Sequence, residues 1–382
     1  MTTTRPFVSF VIPAYNVADT VGLTIESALS QNWPESRREI IVVDNGSTDR
    51  TVEVVRQYPV SLVFERKRGR SAPRNRGIQV ANPKAEMIAS VDADCVVPPD
   101  FLNSLTAAMD SPWIAAAQAR VRKAGQPVPS EKYKLAYYYL PFLDSCAVVF
   151  RRSAYENAQG FDEELARCVD MDFSFRLLAC GYAFAWVPKV VVTKHHDLSQ
   201  GQAFHRGFEN GHATYQIYRK WRPWINRSNA GIALDRVASL TKPFVASVTD
   251  LRSAGLLSLA EATGRVFGYA YHRFRGVEGS RSALASVTAL PAILGSGRFL
   301  LFRDNTSVLY DAEARRVDLW GATQTAVVRA WADGQLDDSA IAERVGHELA
   351  VGATKVASCI AGLRTRLAAA RKESFFPAAT PS

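Results

Sequence analysis

The amino-acid sequence predicts an α/β protein with a mixed, mainly parallel sheet flanked by helices, then a helical segment and a small carboxyl-terminal domain. Over about the first 200 residues, short apolar runs alternate with stretches of helical spacing. Polar side chains follow directly on three of the predicted strands. Because the carboxyl ends of parallel strands meet at one edge, where open α/β sheets bind ligands, we expect one ligand crevice there.

Composition and charge limit the class of protein. The 382 residues are 47% hydrophobic and 22% charged, which is ordinary for a globular protein with a sizeable core. A net charge of +9 favours an anionic partner, such as nucleotide phosphates, nucleic acid or an acidic membrane surface, or serves solubility alone. The five cysteines form no Cys-x-x-Cys pair, which argues against a disulfide scaffold and a thiolate zinc site and fits a reducing cytoplasm.

Strands and helices are predicted from composition and spacing. Runs rich in β-branched and aromatic residues predict strands at residues 7–12, 39–43, 61–64, 87–91, 114–121 and 146–150. Helical spacing predicts helices at residues 18–31, 71–80, 101–109 and 169–177, with a short helix that ends at residue 58. An aromatic, helix-like segment covers residues 133–142, and two edge strands, 184–186 and 190–193, end near His195 and His196. The predicted first domain is residues 1–202.

The second predicted region, residues 203–294, is largely helical. Its best candidate for a membrane span, residues 283–294, is short and contains Pro291, so no integral membrane segment is expected. Bases alternate with indoles at Arg219, Lys220, Trp221, Arg222, Trp224 and Arg227. This pattern suits peripheral contact at the inner face of the membrane, and it equally suits a solvated basic face with tryptophans packed inward.

A small winged-helix-like unit is predicted at residues 295–372, before a flexible tail at 373–382. It contains strand-like runs at 299–303 and 307–310 and helices at 323–332, 338–348 and 354–371.

Three strand ends carry residues suited to chemistry. They are Pro13-Ala14-Tyr15-Asn16, Asp44-Asn45-Gly46-Ser47-Thr48-Asp49 and Asp92-Ala93-Asp94. Carboxylates two residues apart can hold Mg²⁺ or Mn²⁺, which neutralises a diphosphate, although the same pattern is also common in a turn that caps a helix. Six bases lie within residues 66–76, either on a solvated face or beside a phosphate site. Neither a Walker motif nor a dinucleotide fingerprint is present, which disfavours ATP hydrolysis and hydride transfer.

Six motifs follow one another in a fixed order over the first 200 or so residues. They are Val11-Ile12-Pro13-Ala14-Tyr15-Asn16, Ile41-Val42-Val43-Asp44-Asn45-Gly46-Ser47-Thr48-Asp49, Ala72-Pro73-Arg74-Asn75-Arg76-Gly77, Asp92-Ala93-Asp94, Gly160-Phe161-Asp162-Glu163 and Asp170-Met171-Asp172 with Arg176 and Gly181. In these motifs the chain resembles the family 2 glycosyltransferases of the GT-A fold, which is Rossmann-like. The resemblance implies an inverting, metal-dependent transfer of a sugar from a nucleoside diphosphate to an acceptor hydroxyl.

The resemblance also implies a role for individual residues. Asp44 would contact the base of the donor, and Asp92 the ribose or the base. Asp94 would bind a Mn²⁺ or Mg²⁺ ion that bridges the phosphates, with His195 near it. Asp170 would be the general base. The remaining donor-binding residues would be Pro13, Ala14, Tyr15 and Arg74.

One position departs from the family pattern. Val169 stands where family members commonly carry Glu before the catalytic Asp, so acceptor chemistry can differ and Asp172 is the less suited base. The alternative for Asp170 and Asp172 is capping of their own helix, and for His195 and His196 it is a hydrogen-bonded structural role.

The carboxyl-terminal unit resembles, more weakly, the PqqD-like peptide-recognition domains through Asp318-Leu319-Trp320-Gly321-Ala322-Thr323-Gln324 and Ala332-Asp333-Gly334-Gln335-Leu336. In that family a leader peptide adds a strand to the small sheet. The acceptor could then be a ribosomal peptide or its modified product; small-molecule, lipid-linked and polysaccharide acceptors stay open. The alternative is a helical tail that stiffens or dimerises the enzyme.

Three other function classes compete with the transferase. Asp92-Ala93-Asp94-Cys95-Val96 also resembles the nucleophile loop of haloacid-dehalogenase phosphatases, but that loop follows the first strand of its core. A non-catalytic peptide-binding module is the second alternative. A nucleic-acid binder is disfavoured, because the helix predicted at 338–348 is acidic to neutral and a recognition helix should be basic.

Overall fold

The computed structural model describes residues 5–128, 142–195, 200–225, 267, 298–303, 306–311, 316–334 and 337–368. The strands in these ranges are β1 (Phe7–Ala14), β2 (Arg38–Asp44), β3 (Ser61–Phe64), β4 (Ala85–Val91), β5 (Cys95–Val96), β6 (Ile114–Lys123), β7 (Ala147–Arg151), β8 (Ala183–Lys194), β9 (Arg298–Arg303), β10 (Thr306–Asp311) and β11 (Arg316–Trp320). The helices are α1 (Val21–Leu29), α2 (Thr51–Val55), α3 (Ser71–Val80), α4 (Phe101–Ala107), α5 (Arg152–Asn157), α6 (Val169–Ala179), α7 (Gln200–Ile225), α8 (Ala322–Ala332), α9 (Asp338–Glu348) and α10 (Ala353–Ala368).

All eleven described strands belong to one sheet. Its order is β11-β10-β9-β8-β6-β7-β4-β1-β2-β3, and β5 pairs with β8. Strands β4, β1, β2 and β3 are parallel, whereas β7 runs antiparallel to β4 and β6. The predicted mixed, mainly parallel sheet with flanking helices is therefore confirmed. The parallel part brings the ends of β1, β2 and β4 to the same edge.

Strand β1 is buried on both faces, as the continuous apolar run predicts. Phe10 and Ile12 pack in the hydrophobic core on one face of the sheet, and Val11 packs in the core on the other face. Helix α3 lies close over the second face, because a Cβ atom added at Gly77 would stand 2.4 Å from Cγ1 of Val11. This close approach fixes the amino end of α3, which carries Arg74, beside the ends of β1 and β4.

Strand β8 corrects the prediction of two edge strands. It is one strand of twelve residues between β6 and β9, inside the sheet. The pairing with β6 shifts register between Ala119, opposite Val187, and Arg120, opposite Val191. The extra residues, which include Pro188, form an irregularity that the strand tolerates without ending. Helix α5 was not predicted, and the aromatic segment predicted at 133–142 lies, apart from residue 142, outside the described residues.

The carboxyl-terminal strands extend the same sheet. Strand β9 pairs in parallel with β8, with Leu301 opposite Phe184. The ring centroids of Trp113 and Phe302 are 5.1 Å apart, and Nε1 of Trp113 donates a hydrogen bond of 2.9 Å to Asp333. The predicted domain limits, the winged-helix character and the PqqD-like resemblance stay predictions.

Every helix within the described ranges is too short or too polar to cross a bilayer. The membrane-interface pattern predicted on α7 is only partly within those ranges. There, Trp221 is 2% exposed and the Lys220 side chain is 4% exposed. Trp221 packs inward, as the alternative interpretation of this stretch expected, whereas the buried Lys220 does not belong to the solvated basic face that it also expected.

Candidate active site

A cavity of about 1430 Å³ opens at the edge where β1, β2 and β4 end. Its walls come from the segments that follow β1 and β4, the amino ends of α3 and α6, the basic loop before α3, and the first part of α7. Seven of the predicted site residues line it: Pro13, Ala14, Tyr15, Arg74, Asp92, Asp94 and Asp170. Residues far apart in the sequence therefore share one cavity, as the strand ends predicted. Asp44 and His195 are not among the lining residues.

Asp44 closes the turn that follows β2. Its side chain is buried, and its carboxylate accepts hydrogen bonds from the backbone N–H groups of Gly46 at 3.0 Å and Ser47 at 3.1 Å. Gly46 has a φ of 76°, a conformation that glycine adopts without strain. Asp44 thus shapes the turn, while its neighbour Asn45 lines the cavity. Its predicted contact with the donor base stays a prediction.

The basic loop 65–70 is fixed against the end of β2 by Asn45. The amide of Asn45 donates to the carbonyl oxygens of Glu65 at 3.0 Å and Lys67 at 2.8 Å. The guanidinium of Arg68 donates to the Asn45 carbonyl oxygen at 2.7 Å and lies 4.6 Å from the Tyr15 ring centroid. Arg68, like Arg70 and Arg74, lines the cavity. The basic run therefore carries positive charge into the site, which suits a phosphate ligand.

Asp92 stands between two cations. Its Oδ1 accepts a short hydrogen bond from Arg74, and its Oδ2 lies 2.9 Å from Nζ of Lys194. Burial raises the pKa of Asp92, but the charges of Lys194 and Arg74 outweigh this and hold it well below its usual value. Asp92 therefore stays ionised at neutral pH.

Lys194, the last residue of β8, reaches both carboxylates of the Asp-x-Asp pair. Its Nζ is also 3.2 Å from Oδ1 of Asp94. His195 donates its backbone N–H to the Asp94 carbonyl oxygen at 2.7 Å, and the role of its side chain near the metal stays a prediction. Sequence reasoning missed Lys194, because it searched the end of this strand for metal-ligand residue types.

These cavity side chains show whether the site could bind a divalent cation. Within the described ranges, no three His, Cys, Asp or Glu side chains form a group that could hold a metal ion. Asp92 and Asp94 nevertheless supply two carboxylates at the cavity. Mg²⁺ typically binds one or two carboxylates together with substrate phosphates and waters. The residues therefore fit an ion whose remaining ligands come from a phosphate, but Lys194 lies on the same oxygens.

Asp170 lies in the first turn of α6 and faces the same cavity. Its Oδ1 accepts a hydrogen bond of 2.9 Å from the backbone N–H of Met171. Burial and the nearby charge of Asp144, another cavity residue, raise the pKa of Asp170 to about 6. A carboxyl group with this pKa is ionised at neutral pH and can accept a proton in a reaction. Asp144 was not singled out from the sequence, since it belongs to no motif.

Asp172 has a different environment from Asp170. Its side chain is fully buried and accepts from Nε of Arg176 at 2.9 Å and Nε1 of Trp221 at 2.8 Å. Nζ of Lys220 lies 2.9 Å from the same carboxylate. These contacts join α6 to α7 in the interior. Asp172 is therefore a packing residue here, in agreement with the expectation that it is the less suited base.

Most of the segments that form this cavity lie in a part of the chain that is similar to a known protein family. Residues 9–176 match the family model for glycosyl transferase family 2. The glycosyltransferase AglE of Haloferax volcanii is 39% identical over 101 residues, which are 25% of this chain and 33% of that protein. The succinoglycan biosynthesis protein ExoO of Rhizobium meliloti is 34% identical over 204 residues, 46% of this chain and 57% of that protein. The matches thus span about a third and just over half of these two relatives.

A solved structure has the same fold. The mannosyltransferase PcManGT from Pyrobaculum calidifontis, in complex with GDP-Man and Mn²⁺, superposes with a TM-score of 0.50 at 23% identity. The match covers 72% of this chain and 77% of that one. The prediction of a GT-A fold is confirmed by this likeness.

Proposed function

We propose that residues 9–176, which match the family model for glycosyl transferase family 2, form a domain of that family that transfers a sugar from a nucleoside diphosphate to an acceptor hydroxyl with inversion. One observation carries the proposal. The Asp92 and Asp94 pair, the basic loop and Asp170 all line one cavity. A diphosphate site and a general base facing the same space are the two parts that this reaction needs.

The donor would lie between the ends of β1 and β4 and the amino end of α3. The negative charge of its diphosphate would meet Arg68, Arg70 and Arg74, which line this part of the cavity. Its nucleoside would lie toward Tyr15, whose ring is half exposed, and toward the turn that Asp44 closes. Pro13 and Ala14 would form the floor. The solved neighbour, which holds GDP-Man, supports a sugar nucleotide as the donor.

A divalent cation, Mn²⁺ or Mg²⁺, would bind at Asp94 together with oxygens of the diphosphate. The Mn²⁺ in the solved mannosyltransferase supports this part of the proposal. When bound, such an ion neutralises charge on the leaving diphosphate. Asp92 would supply the second carboxylate near the ion, and His195 remains a predicted ligand.

Asp170 would act as the general base. The acceptor oxygen forms a bond to the anomeric carbon of the sugar while the bond from that carbon to the diphosphate breaks, and the hydroxyl proton passes to the Asp170 carboxylate. Attack from the face opposite the leaving group inverts the anomeric centre. The pKa of about 6 supports this role, because the carboxylate is ionised at neutral pH yet basic enough to take a proton.

The phosphatase alternative has little support from the site. A nucleophilic aspartate needs an oxygen that can approach a phosphorus atom. Both oxygens of Asp92 bond to cationic side chains, Arg74 and Lys194, and the strand before it is β4, not the first of the sheet.

A thermal-shift screen of nucleoside diphosphates, each with and without Mn²⁺, tests the proposal. We expect one nucleotide with Mn²⁺ to raise the melting temperature of the wild type and to have no effect on Asp94→Ala. Asp19→Ala is the matched control, since Asp19 is an exposed aspartate outside the cavity lining. Flat curves for every nucleotide would refute a sugar-nucleotide site.

A further inference from the structure

The positively charged group beside the Asp92 and Asp94 carboxylates is a protein side chain, the ammonium group of Lys194. Nζ of Lys194 is 2.9 Å from Oδ2 of Asp92 and 3.2 Å from Oδ1 of Asp94. The other oxygen of Asp92 bonds to Arg74, and the thiol of Cys95 donates to Oδ1 of Asp94 at 3.3 Å. The two carboxylates thus already have positive charge and hydrogen-bond donors around them.

The ammonium group and a divalent cation compete for the oxygens that Lys194 contacts. An ion bound to Oδ1 of Asp94 or Oδ2 of Asp92 would stand about 2.1 Å from that oxygen, close to the ammonium group that already contacts it. Like charges at such a separation also repel strongly in a partly buried site. The Lys194 side chain is 25% exposed and its residue lines the cavity, so the ammonium can move toward the open space.

A bound diphosphate changes this balance. It brings several negative charges into the cavity, so an ion and an ammonium group can then both find anionic partners. Until a diphosphate is bound, Nζ of Lys194 lies on the carboxylate oxygens that an ion would need, so it competes with the ion for them.

We infer that Lys194 is a built-in counter-ion that excludes the divalent cation from the Asp92 and Asp94 pair until a diphosphate is bound. Ion binding is then coupled to donor binding, and the empty enzyme does not hold the metal. The inference rests on the proposed function for the donor, but the competition between Lys194 and the ion does not.

Isothermal titration of the purified protein with MnCl₂ tests the competition directly. We expect the wild type to bind Mn²⁺ at least about tenfold more weakly than Lys194→Gln, which keeps the chain length and removes the charge. Lys189→Gln is the matched control, because Lys189 is an exposed lysine on the same strand and should leave Mn²⁺ affinity unchanged. With a saturating nucleoside diphosphate in the cell, the difference between wild type and Lys194→Gln should shrink.

A second variant keeps the test decisive should Lys194→Gln fold poorly. Lys194→Arg retains a cation, so it should bind Mn²⁺ as weakly as the wild type does. Equal Mn²⁺ affinity in the wild type and Lys194→Gln would overturn the inference, as would tight Mn²⁺ binding by Lys194→Arg. If no nucleotide binds but Lys194→Gln gains Mn²⁺ affinity, the competition stands and the donor assignment fails.

Discussion

At the residue scale, the expected pH dependence comes from the carboxyl group of Asp170 and from the negative charge of its neighbour Asp144. Burial and the Asp144 charge place the pKa of Asp170 at about 6. A general base must be deprotonated, so kcat/KM should fall as the pH is lowered through about 6 and level off above it. Measuring kcat/KM against pH with the native donor gives this decrease at low pH, which is the acid limb of the profile. A rate that does not change between pH 5 and pH 8 would contradict a base with this pKa.

Asp144→Asn should move that limb to lower pH. A negative neighbour favours the protonated form of Asp170, so removing its charge lowers the pKa of Asp170. The measurement is the midpoint of the acid limb in the variant and in the wild type. Asp19→Asn, a change at an exposed aspartate outside the cavity, should leave the midpoint where it is. An upward shift in Asp144→Asn would mean that another group controls the limb.

Asp170→Asn should abolish transfer and keep donor binding. The amide has nearly the same shape but cannot accept the acceptor proton, so we expect a loss of at least about a hundredfold in kcat. Calorimetry should give a nucleotide Kd within about twofold of the wild type. Turnover retained in the variant would remove Asp170 from the role of base.

Sequence motifs were sufficient to predict the cavity residues at strand ends, but they did not predict the charged side chains that lie next to them. Asp92, Asp94 and Asp170 follow apolar runs or begin a helical pattern, so local sequence places them at the sheet edge. Lys194 and Asp144 reach the cavity only through the pairing of β8 with β5 and of β7 with β4. Such long-range pairing leaves no local signal.

At the scale of elements, a buried ion network joins α6 to α7. Nζ of Lys220 lies 2.9 Å from Asp172 and 2.6 Å from Asp162. Lys220→Met should lower the free energy of unfolding by about 3 kcal/mol, because it leaves buried carboxylates with fewer partners. Urea unfolding measures this, and Lys189→Met, at an exposed site on β8, should change it by less than about 0.5 kcal/mol. A loss as small as the control's would mean that the network contributes little to stability.

Whether a segment forms a helix or a strand was easier to predict than which strands lie beside it in the sheet. Strand β3 and helices α3 and α9 have the bounds that composition and spacing predicted. Strand β8 was divided in two, because Pro188 indicates a strand end unless a register shift accommodates it. Its position inside the sheet depends on β9, which lies more than a hundred residues later in the chain.

At the scale of the whole molecule, the carboxyl-terminal strands share a sheet and a core with the transferase fold. Phe302 is 1% exposed and contacts Trp113, which precedes β6. Phe302→Ala should therefore lower the free energy of unfolding by about 3 to 5 kcal/mol. We expect the loss to appear in one cooperative transition followed by circular dichroism in urea. If the carboxyl-terminal region instead unfolds in a separate earlier transition, the two parts are independent.

We expect segments far apart in the sequence to form one cavity that binds a sugar nucleotide. A crystal structure of the protein with Mn²⁺ and the nucleoside diphosphate selected by the thermal-shift screen is the decisive measurement. We expect the diphosphate beside Asp94 and the loop 65–70, with Asp170 facing the same cavity. A nucleotide bound elsewhere on the molecule, or Asp170 facing away from the bound diphosphate, would contradict it.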